Sequence, residues 1–78
     1  MNYLAVFFTH SGAIKYNRFL NSKGINNELM PVPRKLSSNC SIAARFTYEE
    51  DINNIISQDI EKLYKLQDRE YILIYEIE

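Results

Sequence analysis

The chain has one cysteine and one histidine, and these two side chains are the best suited to chemistry. The thiolate of Cys40 would be a nucleophile able to attack a sulfur donor and keep the transferred atom as a persulfide. His10 is a candidate proton partner. Arg34 and Lys35 shortly precede the cysteine, and positive charge nearby favours a thiolate. The sequence therefore predicts a site with Cys40 as the reactive thiol, Arg34 and Lys35 as electrostatic support and His10 beside them.

A structural role for Cys40 is the alternative, because a free cysteine often behaves as a small buried hydrophobe. Its neighbours argue against that role, since Ser38, Asn39 and Ser41 describe a polar loop. No acidic residue occurs between positions 29 and 48, and the turn containing Arg69 is a further source of positive charge. We therefore expect the thiol at an accessible, cation-rich edge. Resistance to alkylation in the folded state would favour the structural role.

Composition narrows the class of protein. A chain of 78 residues with 46% hydrophobic residues suits a single domain over residues 1–78. The net charge of −1 gives no general attraction to nucleic acid or membranes, so neither is an expected partner. One cysteine and one histidine exclude a disulfide framework and an ordinary zinc site, and no metal or cofactor is expected. Without a secretory signal pattern or a membrane-length apolar run, we expect a cytoplasmic protein.

The elements that must position these residues can be read from the apolar spacing. Residues 3–8 predict a strand, and a helix is expected from Ser11, as N-cap, to Gly24. Short strands are predicted at 29–30 and 41–46, with an irregular proline-containing segment between them. Residues 47–50 resemble a capping box, and apolar residues then recur with helical spacing as far as Tyr64. A turn at 68–69 precedes a final strand at 71–75.

This order, β-α-β-β-α-β, predicts an α+β fold: a ferredoxin-like two-layer sandwich with a four-stranded antiparallel sheet. The first and third strands would be antiparallel neighbours, so the end of the first meets the start of the third. That pairing places His10 near Cys40. Two helices cover only one face of such a sheet, and the strands are apolar on both faces. A homodimer or a partner complex through the open sheet face is therefore a further expectation.

One segment resembles a known family. Residues 30–46 read Met-Pro-Val-Pro-Arg-Lys-Leu-Ser-Ser-Asn-Cys-Ser-Ile-Ala-Ala-Arg-Phe. They are similar to the signature of the putative selenium/sulfur carrier protein-like family, in which Pro-Thr-Pro-Arg, a Ser-rich link and Cys-Gly precede an apolar strand. The resemblance implies a cytosolic carrier that holds sulfur or selenium at Cys40, with Arg34 as the adjacent basic residue. Ser41 stands where the family has Gly.

Two functions therefore remain open. The first is a carrier of sulfur or selenium on a single cysteine, with donor and acceptor proteins as partners and no conventional turnover. The second is a non-catalytic interaction or homodimerisation module without thiol chemistry. RNA binding is disfavoured because residues 41–46 lack the basic-glycine-aromatic run of an RNA recognition strand. A conventional enzyme is least favoured, since no phosphate-binding loop and no complete nucleophile, base and orienter set is present.

Overall fold

The computed structural model describes residues 1–77. This part of the chain contains five strands, one α-helix and a short 3₁₀ helix. Their bounds are β1 (Asn2–Phe7), α1 (His10–Ser22), β2 (Asn27–Pro31), β3 (Ile42–Thr47), the 3₁₀ helix (Ile52–Ile55), β4 (Ile60–Gln67) and β5 (Glu70–Glu76).

The strands form one five-stranded sheet in the order β2-β3-β1-β4-β5, and every neighbouring pair is antiparallel. The apolar strand β1 is central, with Val6 opposite Ala43 of β3. This confirms the predicted antiparallel pairing of the first and third strands. Both β1 and β2 flank β3, so they run parallel to each other and are linked through α1.

The predicted four-stranded ferredoxin-like sandwich with two helices is wrong. Residues 47–64 form no α-helix: Thr47 ends β3, and the isoleucine-rich stretch forms the 3₁₀ helix and the start of β4. The Thr47 hydroxyl donates a hydrogen bond to Asn2, and Glu49 pairs with the N-terminal ammonium group. The capping pattern is therefore used for contacts with the start of the chain. The second half of the fold is a β-hairpin in place of a helix and a strand.

A β-bulge explains why the spacing of β4 resembles that of a helix. Val6 lies opposite Lys62 and Phe7 opposite Ile60, so Glu61 is an extra residue without a partner in β1. The extra residue lets Ile60 and Leu63 pack in the same apolar cluster although an odd number of positions separates them. Isoleucine and tyrosine also favour a pleated strand over a helix.

Helix α1 was predicted nearly correctly. Its N-cap is Thr9 and not Ser11, since the Thr9 hydroxyl accepts a hydrogen bond from the Gly12 N–H at 3.0 Å. At the other end Gly24 adopts the predicted left-handed conformation, with φ of 71°. The N–H of Gly24 donates to Asn21 and that of Ile25 to Leu20, which completes a Schellman motif.

The sheet is covered on both faces. On one face, α1 and the 3₁₀ helix pack Tyr16, Leu20 and Ile55 against residues of the three central strands. On the other face, Leu4 and Val6 are fully buried. Side chains from the other four strands and from the segment after β2 pack around them: Met30, Val32, Leu36, Ala43, Tyr64, Leu66 and Tyr71. The expectation of an open sheet face is therefore wrong at the centre of the sheet.

Candidate functional site

Cys40 lies in the turn that leads into β3, at the end of the sheet where β1 finishes. Only 4% of the residue is exposed, so the prediction of an accessible thiol is wrong. Cys40 nevertheless belongs to neither of the two apolar clusters formed by residues 1–77. Cys40 is thus a buried residue in a turn with polar neighbours, outside the two apolar clusters.

Backbone hydrogen bonds fix the geometry around the sulfur. The N–H of Ile42 points at Cys40 Sγ across 3.4 Å, and the N–H of Cys40 donates to Ser38 Oγ at 3.2 Å. The carbonyl of Ser41 accepts from the N–H of Val32, which ties the turn to the segment after β2. A backbone N–H donor therefore faces the sulfur atom of Cys40.

The prediction that His10 lies near the cysteine segment is confirmed, because His10 contacts Ser41, the residue after Cys40. His10 Nε2 and Ser41 Oγ lie 3.1 Å apart, although 31 residues separate them in sequence. His10 is the first residue of α1, and the antiparallel pairing of β1 with β3 brings it to this turn. Both side chains are exposed to solvent.

The predicted electrostatic role of Arg34 and Lys35 stays a prediction, whereas the predicted position of Arg69 is contradicted. Arg34 and Lys35 are exposed, and among residues 1–77 neither forms an ion pair or a side-chain hydrogen bond. Lys35 lines a shallow groove with Leu36, Glu70 and Tyr71. The expectation that Arg69 approaches the thiol is wrong, because its turn lies at the other end of the sheet, next to the start of β1.

Sequence reasoning missed Glu61. Its carboxylate accepts hydrogen bonds from Ser38 Oγ at 3.2 Å and from the Asn39 N–H at 3.4 Å on one oxygen. Its other oxygen accepts from Asn39 Nδ2 at 3.3 Å. An acidic side chain therefore holds the loop that was predicted to be surrounded by positive charge. No short motif marks Glu61, and only the bulge of β4 directs it to this loop.

An open apolar groove of about 500 Å³ adjoins the site. His10 and Ser41 form one part of its lining, and the remainder is contributed by the facing ends of β2 and β3: Leu29, Met30, Pro31 and Ile42. The cysteine turn thus has a polar side, held by Glu61, and an apolar side, next to this groove.

Comparison with known protein families gives one match. The family model described as Putative Se/S carrier protein-like matches residues 2–67. The chain belongs to this family. The match includes all four named site residues and Glu61, and it ends before β5. Neither the curated proteins nor the solved structures provided a match.

The position that departs from the family pattern adopts an ordinary backbone conformation. Between residues 1 and 77, the non-glycine residues with positive φ are Asp68 and Arg69, so Ser41 does not occupy the left-handed region. The Ser41 hydroxyl contacts His10, and a glycine at this position would remove that contact. Serine is therefore compatible with the geometry of this turn.

Two further searches concern binding to metals and membranes. Within residues 1–77, no three side chains of the His, Cys, Asp and Glu types converge in a way that would hold a metal ion. The helices in the same part of the chain include none with the length and hydrophobicity needed to cross a bilayer.

Proposed function

We propose that this family member carries sulfur or selenium on Cys40, as a persulfide or as the corresponding selenium adduct. The observation that carries the proposal is the family match across the whole Pro31–Cys40 segment, together with a thiol outside both apolar clusters. The Ile42 N–H aimed at Sγ supports the same function, because a donor at this position would stabilise the thiolate that the exchange requires.

The transfer step is a thiol–disulfide type of exchange. The thiolate of Cys40 attacks the terminal sulfur of a donor protein persulfide. A new S–S bond forms at Cys40, the S–S bond of the donor breaks, and the donor cysteine leaves as a thiolate. The acceptor protein then removes the terminal atom by its own nucleophile, and Cys40 leaves as a thiolate. With a donor selenosulfide, the terminal atom is selenium and the balance is the same.

The proposed roles of the other site residues follow from their positions. His10 would pass a proton to or from the cysteine turn through the Ser41 hydroxyl. Arg34 and Lys35 would support the docking of partner proteins by their exposed positive charge. The partners are therefore donor and acceptor proteins. We assign the carrier to the cytoplasm, because an unpaired reactive thiol is best preserved in a reducing compartment.

Mass spectrometry of the intact protein tests the proposal. After incubation with a low-molecular-weight persulfide and removal of the donor, the wild type should gain one sulfur atom that a reductant releases. Cys40→Ser should gain none, because it removes the only thiol in the chain. A wild type that remains unmodified after prolonged incubation, while a small thiol in the same tube is persulfidated, would exclude the carrier function.

A second candidate function rests on β5. This edge strand exposes Ile72, Leu73 and Ile74, each by 40% or more. An edge strand also leaves backbone donors and acceptors without partners. We propose self-association through this strand as the form that a non-catalytic interaction module would take.

A further inference from the structure

Glu61 is placed by a feature that departs from the regular sheet. It is the extra residue of the β4 bulge opposite β1, and its carbonyl accepts a hydrogen bond from the Ile77 N–H at 3.1 Å. Bulges of this kind redirect a side chain away from the regular strand pattern. Here the carboxylate is directed to the loop that precedes Cys40.

The contacts of Glu61 hold the loop before Cys40 against β4. The carboxylate accepts from the backbone and the side chain of Asn39, and it shares the single Ser38 hydroxyl proton with the Phe7 carbonyl. The Ser38 hydroxyl oxygen in turn accepts the N–H of Cys40. One carboxylate thus anchors two residues of the loop, and the second of them is adjacent to the cysteine.

In the described part of the chain, the hydrogen bonds of the Glu61 side chain are therefore all made with this loop. Among residues 1–77, no ion pair is formed by Glu61, whereas the adjacent Lys62 pairs with Glu76 at 3.9 Å. Hydrogen bonds that involve a charged acceptor are stronger than neutral ones. Loss of this carboxylate would release the anchor while leaving the ion pair at Lys62 in place.

We propose that Glu61 is a latch that holds the Ser38–Asn39 loop closed and so controls the exposure of the Cys40 thiol. Cys40 is 4% exposed in this structure. In this proposal, exchange with a partner requires the loop to open. Glu61 is thus a positioning residue, since it contacts the loop and not the reacting sulfur. The use of the latch in sulfur or selenium transfer rests on the proposed carrier function, whereas the effect of Glu61 on the exposure of Cys40 does not.

Alkylation of the native protein measures this exposure. When opening is rapid and rare, the alkylation rate is proportional to the population of the open loop. Glu61→Ala should raise the iodoacetamide rate roughly tenfold or more, which corresponds to about 1.4 kcal/mol in the opening equilibrium. Glu61→Gln should give a smaller rise, because the amide keeps an acceptor oxygen but no charge. Glu28→Ala is the matched control, since its carboxylate is exposed on β2 and has no hydrogen bond to this loop.

The urea dependence of the same rate separates a latch from general destabilisation. Local opening exposes little surface, so alkylation of Glu61→Ala should be nearly independent of low urea concentrations. A rate equal to that of the wild type would overturn the latch. So would a rise that follows urea with the slope of global unfolding, or an equal rise in Glu28→Ala.

The two proposals can fail separately. If the wild type gains no sulfur while Glu61→Ala is alkylated faster, the carrier function is excluded and the latch stands. If the wild type gains sulfur and Glu61→Ala is alkylated at the wild-type rate, the carrier function stands and the latch is excluded.

Discussion

Tyr16 shows how a single buried hydroxyl ties α1 to the 3₁₀ helix. Its side chain is 1% exposed, and its hydroxyl donates to the carbonyl of Ile55 at 2.7 Å. Burial, with a smaller contribution from Tyr48, raises the pKa of Tyr16 above the ordinary tyrosine value of about 10. The folded protein therefore keeps Tyr16 protonated at a pH where the unfolded chain ionises it.

This difference predicts a loss of stability in alkali. The contribution of Tyr16 is complete below pH of about 10 and falls as the pH rises further, by up to about 1.4 kcal/mol per pH unit. Near neutral pH, Tyr16→Phe should lower the free energy of unfolding by about 1–3 kcal/mol, because the Ile55 carbonyl loses its donor. Urea denaturation of the wild type and of Tyr16→Phe should be compared near neutral pH and at a pH above about 10. The difference between their free energies of unfolding should be smaller at the alkaline pH. A gap that stays constant would contradict the assignment.

At the same scale, part of the site could be predicted from the sequence. Antiparallel pairing of the first and third strands brought His10 to the cysteine turn, and that pairing was inferred from the order of the apolar runs along the chain. The role of Glu61 could not be inferred, because a bulge directs it and bulges have no short motif. The burial of Cys40 was also missed, because its polar sequence neighbours indicated an exposed loop.

At the scale of elements, glycine in the Schellman motif of α1 gives a direct prediction. Gly24 has φ of 71°, and a Cβ built there would meet no atom within 4 Å. The cost of a side chain is therefore backbone strain alone. Gly24→Ala should lower the free energy of unfolding by about 1 kcal/mol. Gly24→Asn should cost less, because asparagine tolerates the left-handed region.

Urea denaturation of the three proteins checks this order. Equal losses for alanine and asparagine would indicate a cause other than the positive φ. A gain in stability for alanine would show that Gly24 does not hold the left-handed conformation in solution.

The elements also show where spacing is a poor guide. Strands β1, β2, β3 and β5 were predicted because each is a short apolar run near turn residues. Strand β4 was predicted as part of a helix, because its bulge converts the alternation of a strand into spacing of three and four residues. The misassigned segment changed the predicted sheet from five strands to four, and with it the predicted fold class.

At the scale of the whole molecule, the edge strand β5 exposes three large apolar side chains, whereas the opposite edge strand β2 exposes one, Leu29. Strand β5 reads Glu-Tyr-Ile-Leu-Ile-Tyr-Glu in both directions, so an antiparallel pair of copies centred on Leu73 would place like residues opposite each other. Such a pair would be related by a two-fold axis, the commonest symmetry of homo-oligomers. Glu70 would then face Glu76 of the second copy, and salt screens this repulsion.

Sedimentation velocity over a range of protein concentrations tests self-association through β5. If the interaction module is correct, a dimer should appear as concentration rises, and added salt should favour it. Leu73→Lys should abolish the dimer, because a charge on an edge strand opposes pairing. Leu29→Lys is the matched control on the opposite edge, since Leu29 is 38% exposed and Leu73 is 47% exposed. A monomer at every concentration, or equal effects of the two substitutions, would exclude pairing through β5, and the carrier function would then be the one that remains.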